Sequence, residues 1–338
     1  MSSETPCLSL SSEPGGDEAR QKYCVPDVCS VVTSEEWRDF SLKISDVTVV
    51  VATLNSADLL AYSIPSWLAT PVARVIVVDG GSTDGSISFL RSISTATGRV
   101  DLVNEPRKGL AVARNSGSRR AKTKVLLHAG PDNLISSETL EAMLAELISA
   151  DLVSCRTRVA TGSTIRDAVI NLSKSRLRSG ADLPVVGTPY MARKGVFLSY
   201  PFDESIRDAD DTFFCETLRS NNLRVSRIDE HCLETGFETF RSLKERYWRW
   251  GRSDAEYFLA RKERMTPQRR FLSFTRSFWV EITVSPGHAG LWQYLIGLPF
   301  LVLFGTLRFR SFLYHRRNLD TAIALPAKRG GLVIAACR

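Results

Sequence analysis

The chemistry open to this chain is concentrated in four short polar clusters. The first is Ala52-Thr53-Leu54-Asn55, and the second is Asp79-Gly80-Gly81-Ser82-Thr83-Asp84-Gly85. The third is Lys108-Gly109-Leu110-Ala111-Val112-Ala113-Arg114-Asn115-Ser116-Gly117, and the fourth is Gly130-Pro131-Asp132-Asn133. An ionised carboxylate offers acceptors only, so Asp79 suits the imino N–H of uracil or the N1–H and amino hydrogens of guanine. Its competing role is that of a turn residue bonding its own backbone. Thr53 and Asn55 would edge the same base and its ribose, with Gly81 and Ser82 in the adjoining turn. Asp84 divides between ligand contact and N-capping the helix that follows. Gly109 opens a helix whose free N–H groups favour an anion, and Arg114 and Asn115 further inside it can orient donor or metal-ligand side chains. A solvated basic face is the alternative for Lys108, whereas Arg114 sits among Ala111, Val112 and Ala113, the mark of a packed helix.

These clusters need a frame that brings them together. Val47 to Thr53 and Arg74 to Asp79 are short β-branched runs of the buried-strand kind. Between them a helix is predicted through Leu59, Leu60, Ile64 and Trp67, with Asn55, Ser56 and Asp58 as caps and a break or kink at Pro65. Val100 to Val103 predicts a third strand, Gly109 to Ala121 a helix and Lys124 to Ala129 the next strand. Ser136 to Ala150 predicts an amphipathic helix with Leu140, Met143, Leu144 and Leu147 on one face. Leu152 to Val159 reads as a strand, the pattern weakens between Ile165 and Tyr200, and Asp208 to Ser220 regains helical character. Strands alternating with helices at this spacing indicate a parallel sheet with helices on both faces. Ligands of such sheets bind beyond the carboxyl ends of the strands, where all four clusters fall.

In this order the clusters resemble those of a family 2 glycosyltransferase of the GT-A fold. Val77-Val78-Asp79-Gly80-Gly81-Ser82-Thr83-Asp84-Gly85 and the Gly109, Ala113-Arg114-Asn115, Gly117 helix carry the resemblance, which covers about Val47 to Leu218. It implies a Rossmann-like α/β domain, its mostly parallel sheet flanked by helices, that moves a hexose from a nucleoside diphosphate sugar with inversion, usually with Mg²⁺ or Mn²⁺. It also divides the chain into an irregular tail over 1–45, a catalytic domain over 46–240 and a helical, aromatic and basic extension over 241–338. Within the catalytic domain, 46–135 would be the nucleotide-binding half and 136–240 the acceptor half. The family's D-x-D metal motif falls on Gly130 and Asp132, so a single carboxylate, Asp132, is left to hold the cation alongside diphosphate oxygens and water. Its alternative is a turn residue after Pro131. The family's later acidic pair falls on Asp210 and Asp211. Asp211 is then the general base that takes the acceptor's proton, with Asp210 second, and helix capping is the alternative for both. Arg246 to Arg252 occupies the position of the family's aromatic and basic segment. Trp248 or Trp250 is placed to stack on a sugar and Arg249 or Arg252 to meet acceptor phosphate, with a basic amphipathic helix near a membrane as the alternative.

Composition narrows the partners. The 338 residues are 43% apolar and 24% charged, with 44 Lys and Arg against 37 Asp and Glu and a formal charge of +7. Charge alone is a poor reason to expect nucleic-acid binding, and none is expected. No G-x-G-x-x-G follows the first strand, which argues against a dinucleotide oxidoreductase. The rival to an enzyme is a catalytically impaired nucleotide-sugar-binding scaffold, motivated by Gly130. The seven cysteines are odd in number and form no C-x-x-C, which reads as a reduced, cytoplasmic setting, with Cys155 and Cys215 as buried packing residues. The polar N-terminal stretch has no secretory pattern. Ala289 to Leu307 carries no charge and is expected as an interfacial or re-entrant helix broken near Pro299, or as a buried or dimer-forming one. The expected partners are thus a nucleotide-sugar donor, a glycan or lipid-linked acceptor and, peripherally, the inner face of the membrane.

Overall fold

The computed structural model describes residues 42–159, 180–235, 240–282 and 291–324. The expected tail lies almost wholly outside these residues, as does much of the weakly patterned stretch after Ile165. A turn of 3-10 helix (Ile44–Asp46) leads into β1 (Val47–Thr53), α1 (Ala57–Ala69), β2 (Arg74–Asp79), α2 (Ser86–Thr97), β3 (Val100–Asn104), α3 (Leu110–Arg120) and β4 (Val125–Ala129). The second half adds β5 (Asn133–Leu134), α4 (Ser137–Glu146), β6 (Leu152–Val159), β7 (Tyr190–Arg193), α5 (Lys194–Ser199), α6 (Asp210–Ser220) and β8 (Val225–Glu234). Three helices follow: α7 (Phe240–Arg261), α8 (Pro267–Ile282) and α9 (Leu291–Ala324).

The eight strands form one sheet in the order β3-β2-β1-β4-β7-β6-β8-β5. The first four run parallel; β7 enters antiparallel to β4 and to β6, and β8 is parallel to β6. Alternate residues of the apolar runs go to opposite faces, as the period of a strand requires. Val49, Val51, Val75 and Val77 pack with Leu60, Ile64 and Trp67 of α1 and with Leu140 and Met143 of α4. Ile76, Val78 and Leu126 pack on the other face with Ala111 and Ala113 of α3, Tyr190, Phe197 and Phe214. Cys155 and Cys215 are free and buried, and burial pushes both thiols up to about 12, which suits packing rather than nucleophilic chemistry.

Neither Pro65 nor Pro299 ends its helix. Helix α1 runs through Pro65, and α9 runs through Pro299. In each case the proline and the residue four positions earlier, Ala61 or Leu295, lie on the exposed face, where water can take the carbonyl left without its N–H partner.

Helix α3 lies unusually close to the sheet because of one residue. A Cβ at Gly117 would collide with Val50 Cγ1 and come within 3.2 Å of Val78 Cγ2. This approach fixes how far Arg114, one turn earlier, stands from the strand ends. Gly117→Val is expected to destabilise the fold by about 1–3 kcal/mol, seen as a lowered thermal midpoint; an unchanged midpoint would mean that the helix can lift without cost.

Candidate active site

The carboxyl ends of β1, β2 and β4 form one rim. Thr53 and Asp79 are partners in register across β1 and β2, and Ala129 pairs with Val51 just before the rim. Asp79 is fully buried. Its Oδ2 accepts the N–H groups of Gly81 at 2.9 Å and Ser82 at 2.8 Å, in a turn that Gly81 makes with φ of 95°. Among the described residues its Oδ1 has no partner, and neither has the buried Oγ1 of Thr53 beside it. Two adjacent buried acceptors lacking donors are what a ligand N–H or O–H would complete.

Neighbouring side chains hold that pair in place. The Asn55 N–H donates to Ser82 Oγ at 2.8 Å, and Asn55 Oδ1 accepts from the Thr83 N–H at 2.8 Å. Asp84 accepts from the N–H of Ala57 at 2.9 Å, the first residue of α1, and from the N–H and hydroxyl of Ser86, the first of α2. The Ala57 hydrogen bond, with that of Ser86, holds the Asp84 carboxyl below its usual range. Asp84 therefore caps two helices at once, and Asn55 and Ser82 use their side-chain oxygens to join the two loops.

The second centre is a buried guanidinium. Gly109, with φ of 138°, stands at the N-cap of α3, and Arg114 follows within the helix. Arg114 donates through Nη1 to Asp210 Oδ2 and to Asp211 Oδ1, the latter at 2.6 Å. Its guanidinium lies 5.2 Å from the centre of the Phe202 ring and 5.5 Å from that of Tyr190. Burial alone would lower its pKa, but the charges of Asp211 and Asp210 outweigh that and raise it further. The Tyr190 hydroxyl, held far above its usual pKa by burial, donates to Asp211 Oδ1 at 3.1 Å. Asp211 Oδ2 has no hydrogen-bond partner among the described residues, and the side chain is 29% exposed. Burial pushes Asp210 up to about 6, against the pull of Arg114. Asn115 does not face the rim acceptors: it clamps the backbone of Phe202, donating at 2.8 Å and accepting at 2.9 Å, and reaches Glu204. His128 lies beneath Arg114 among the rings of Tyr190, Phe197 and Phe202, and burial with the Arg114 charge keeps it neutral.

Asp132 follows β4 at the same rim. Its backbone carbonyl accepts the Thr235 N–H at 2.7 Å, tying the turn to the end of β8. A Cβ at position 130 would collide only with the carboxylate tip of Asp132, which can turn aside, so the absence of a second carboxylate here is not imposed by the turn. Among the described residues no three His, Cys, Asp or Glu side chains are grouped to hold a metal ion. The donor set offered is thus one partly exposed carboxylate, which fits a magnesium-type site completed by diphosphate oxygens and water.

The aromatic and basic segment is placed differently from expectation. Arg252 is bound to Asp208, at 2.8 and 2.6 Å, rather than standing ready for a phosphate. Trp248 packs against Tyr314 and His315 of α9, and Arg249 is exposed on α7. Glu256, which no local pattern marks, accepts the N–H groups of Arg207, Asp208 and Ala209 at 2.8, 2.9 and 3.0 Å. Helix α7 therefore grips the loop that delivers Asp210 and Asp211. Glu256→Ala should cost about 1–3 kcal/mol and speed amide hydrogen exchange at 207–209. Exchange equal to wild type there would show that the loop holds itself.

Comparison with known proteins fits this geometry. Residues 48–189 match the family described as Glycosyl transferase family 2. Over 73 residues the chain is 42% identical to the succinoglycan biosynthesis protein ExoU of Rhizobium meliloti (strain 1021), a match spanning 21% of this chain and about a fifth, 21%, of that protein. The mannosyltransferase PcManGT of Pyrobaculum calidifontis, solved in complex with GDP-Man and Mn²⁺, shares the fold with a TM-score of 0.52 and 19% identity over 86% of this chain and 85% of that one. Residues 1–349 of S. aureus TarS in complex with UDP-GlcNAc align with a TM-score of 0.48 and 17% identity, over 83% and 92%. Over residues 48–189 the chain is thus similar to the family 2 glycosyltransferases.

Proposed function

We propose that this protein is an enzyme transferring a sugar from a nucleoside diphosphate sugar to a hydroxyl or phosphate of a glycan or lipid-linked acceptor, with inversion at C1. The observation that carries this reading is the rim itself. Unpartnered Asp79 Oδ1 and Thr53 Oγ1 are available to a nucleoside at one end, and Asp211 Oδ2 is available to an acceptor proton at the other. Asp79 accepts the base N–H, and Thr53 adds a second polar contact. The N-terminus of α3, opened by Gly109, favours the diphosphate. Asp211 takes the hydroxyl proton on Oδ2 while the acceptor oxygen bonds to C1, and the C1–oxygen bond to the diphosphate breaks with its electron pair. Arg114 and Tyr190 hold Asp211 Oδ1, which leaves the other oxygen to act.

Asp132 would hold a Mg²⁺ or Mn²⁺ ion, whose charge would stabilise the leaving diphosphate. The Pyrobaculum relative, solved with a nucleotide sugar and Mn²⁺, supports that class of donor and cation. Free Cys155, Cys215 and Cys232 support a cytoplasmic setting.

Asp211→Asn is expected to lower the rate of transfer about 10²- to 10⁴-fold while leaving donor affinity near wild type, measured by calorimetry. Asp79→Ala should do the reverse, weakening binding of UDP- or GDP-sugars in a thermal-shift screen with and without Mn²⁺. Wild-type protein that binds donor but turns over none would establish the scaffold instead.

The raised pKa of Asp210 sets a pH limb. As pH falls through about 6 its carboxylate is protonated and its half of the Arg114 ion pair is lost, so the rate should drop on the acid side. Asp210→Asn should run slowly at every pH and lack that limb. A wild-type rate flat from pH 5 to 8 would contradict the assignment.

A further inference from the structure

The three C-terminal helices bury one aromatic seam and leave another in water. Phe304 of α9 packs on Leu243 and Tyr247 of α7, while Phe312 meets Phe258 and, with Phe309, the inward Phe274 of α8. On the outer side of α8, Phe271 is 67% exposed, Leu272 66% and Trp279 52%; on α9, Ile296 is 62%, Leu303 42% and Phe300 36%. A helix apolar on both its inner and its outer side is not built to face water.

We infer that the outer face of α8, with the first half of α9, docks on an anionic lipid bilayer and lies in its plane. Charge complementarity chooses the occupant. From 240 to 324 the chain carries fifteen Lys and Arg against six Asp and Glu. Arg269 and Arg276 are exposed on α8 itself, Arg276 beside Leu272 and Trp279 at helical spacing, and Arg310 is exposed on α9. Aromatic and aliphatic side chains interleaved with arginine are the composition of an interfacial helix. A second copy of this chain would instead bring the arginines of one copy against those of the other.

Spanning the bilayer is excluded by the middle of the helix. The stretch Tyr294–Leu319 is long and apolar enough to cross a membrane by length and composition. Within it, however, Arg308 is bound to Asp254 of α7 at 2.7 and 2.9 Å, and a Cβ at Gly251 would strike the Arg308 carbonyl. Crossing would strip α9 of its packing on α7 and part Arg308 from Asp254. In-plane docking leaves this packing intact.

The inference goes beyond the transfer reading and does not depend on it, since the experiment reads lipid binding. Full-length protein is floated with vesicles of phosphatidylcholine alone and of phosphatidylcholine with phosphatidylglycerol. The protein should rise with the anionic vesicles only, and added salt should release it. The double variant Phe271→Asp, Leu272→Asp should bind about tenfold more weakly or worse, and Arg269→Glu, Arg276→Glu should erase the preference for anionic lipid. Both pairs are exposed, so thermal midpoints near wild type are expected to confirm that the variants fold. Equal flotation with neutral vesicles would overturn the proposal. So would absence of flotation, whether or not sedimentation shows a dimer that the Phe271→Asp, Leu272→Asp variant breaks.

Discussion

A single buried guanidinium organises the acidic end of the rim. Arg114 has no water to solvate it, so it must be neutralised by protein, and it meets two consecutive carboxylates at the first turn of α6. Those carboxylates in turn could not both be ionised side by side in a half-buried site without it. The N-terminus of α6 adds a favourable dipole, but Arg114 also carries position. It stands on α3, whose distance from the sheet is set by Gly117 against Val50 and Val78. The place of the proposed base is therefore referred back to the sheet through a glycine contact and an ion pair. Phe202 and Tyr190 close the guanidinium in, and Asn115 holds Phe202 by its backbone.

The Asp79 end of the rim is built on a different principle. Asp79 presents one satisfied and one unsatisfied oxygen, because the turn that Gly81 makes delivers two N–H groups to Oδ2 only. The surrounding polar residues do not compete for the open oxygen, since they are bonded to each other and to the two helix starts. The rim thus reads as rigid loops carrying a few unmet acceptors, the arrangement expected of a preorganised ligand site.

The C-terminal helices are more than an appendage. Glu256 and Arg252 of α7 fasten the loop before Asp210, while Arg308 and Gly251 lock α9 to α7. Whatever surface α8 and α9 meet is therefore joined by short, specific contacts to the loop that carries the acidic pair. A bilayer beneath that bundle would lie close to the loop that carries Asp210 and the proposed base.

Much of this was written locally. The apolar runs ending at Thr53, Asp79 and Ala129, and the polar turns after them, specify parallel strands with polar loops at one rim, because burial on both faces leaves such runs little else to become. The residues of the rim are legible for the same reason. What the chain order could not show is which of them still has an open valence. Asp84, Asn55 and Arg252 look as available as Asp79 on paper, and only folding reveals that the loops, Ser86 and Asp208 have already taken them. Tyr190 and Glu256 carry no local signature, because their partners lie 21 and 47 to 49 residues away. The prolines at 65 and 299 end neither helix for a related reason: a missing hydrogen bond is costly only where the orphaned carbonyl is buried, and exposure is a property of the packed molecule. Sequence sets which groups the chain owns and in what periodicity; tertiary structure decides which of them are already satisfied.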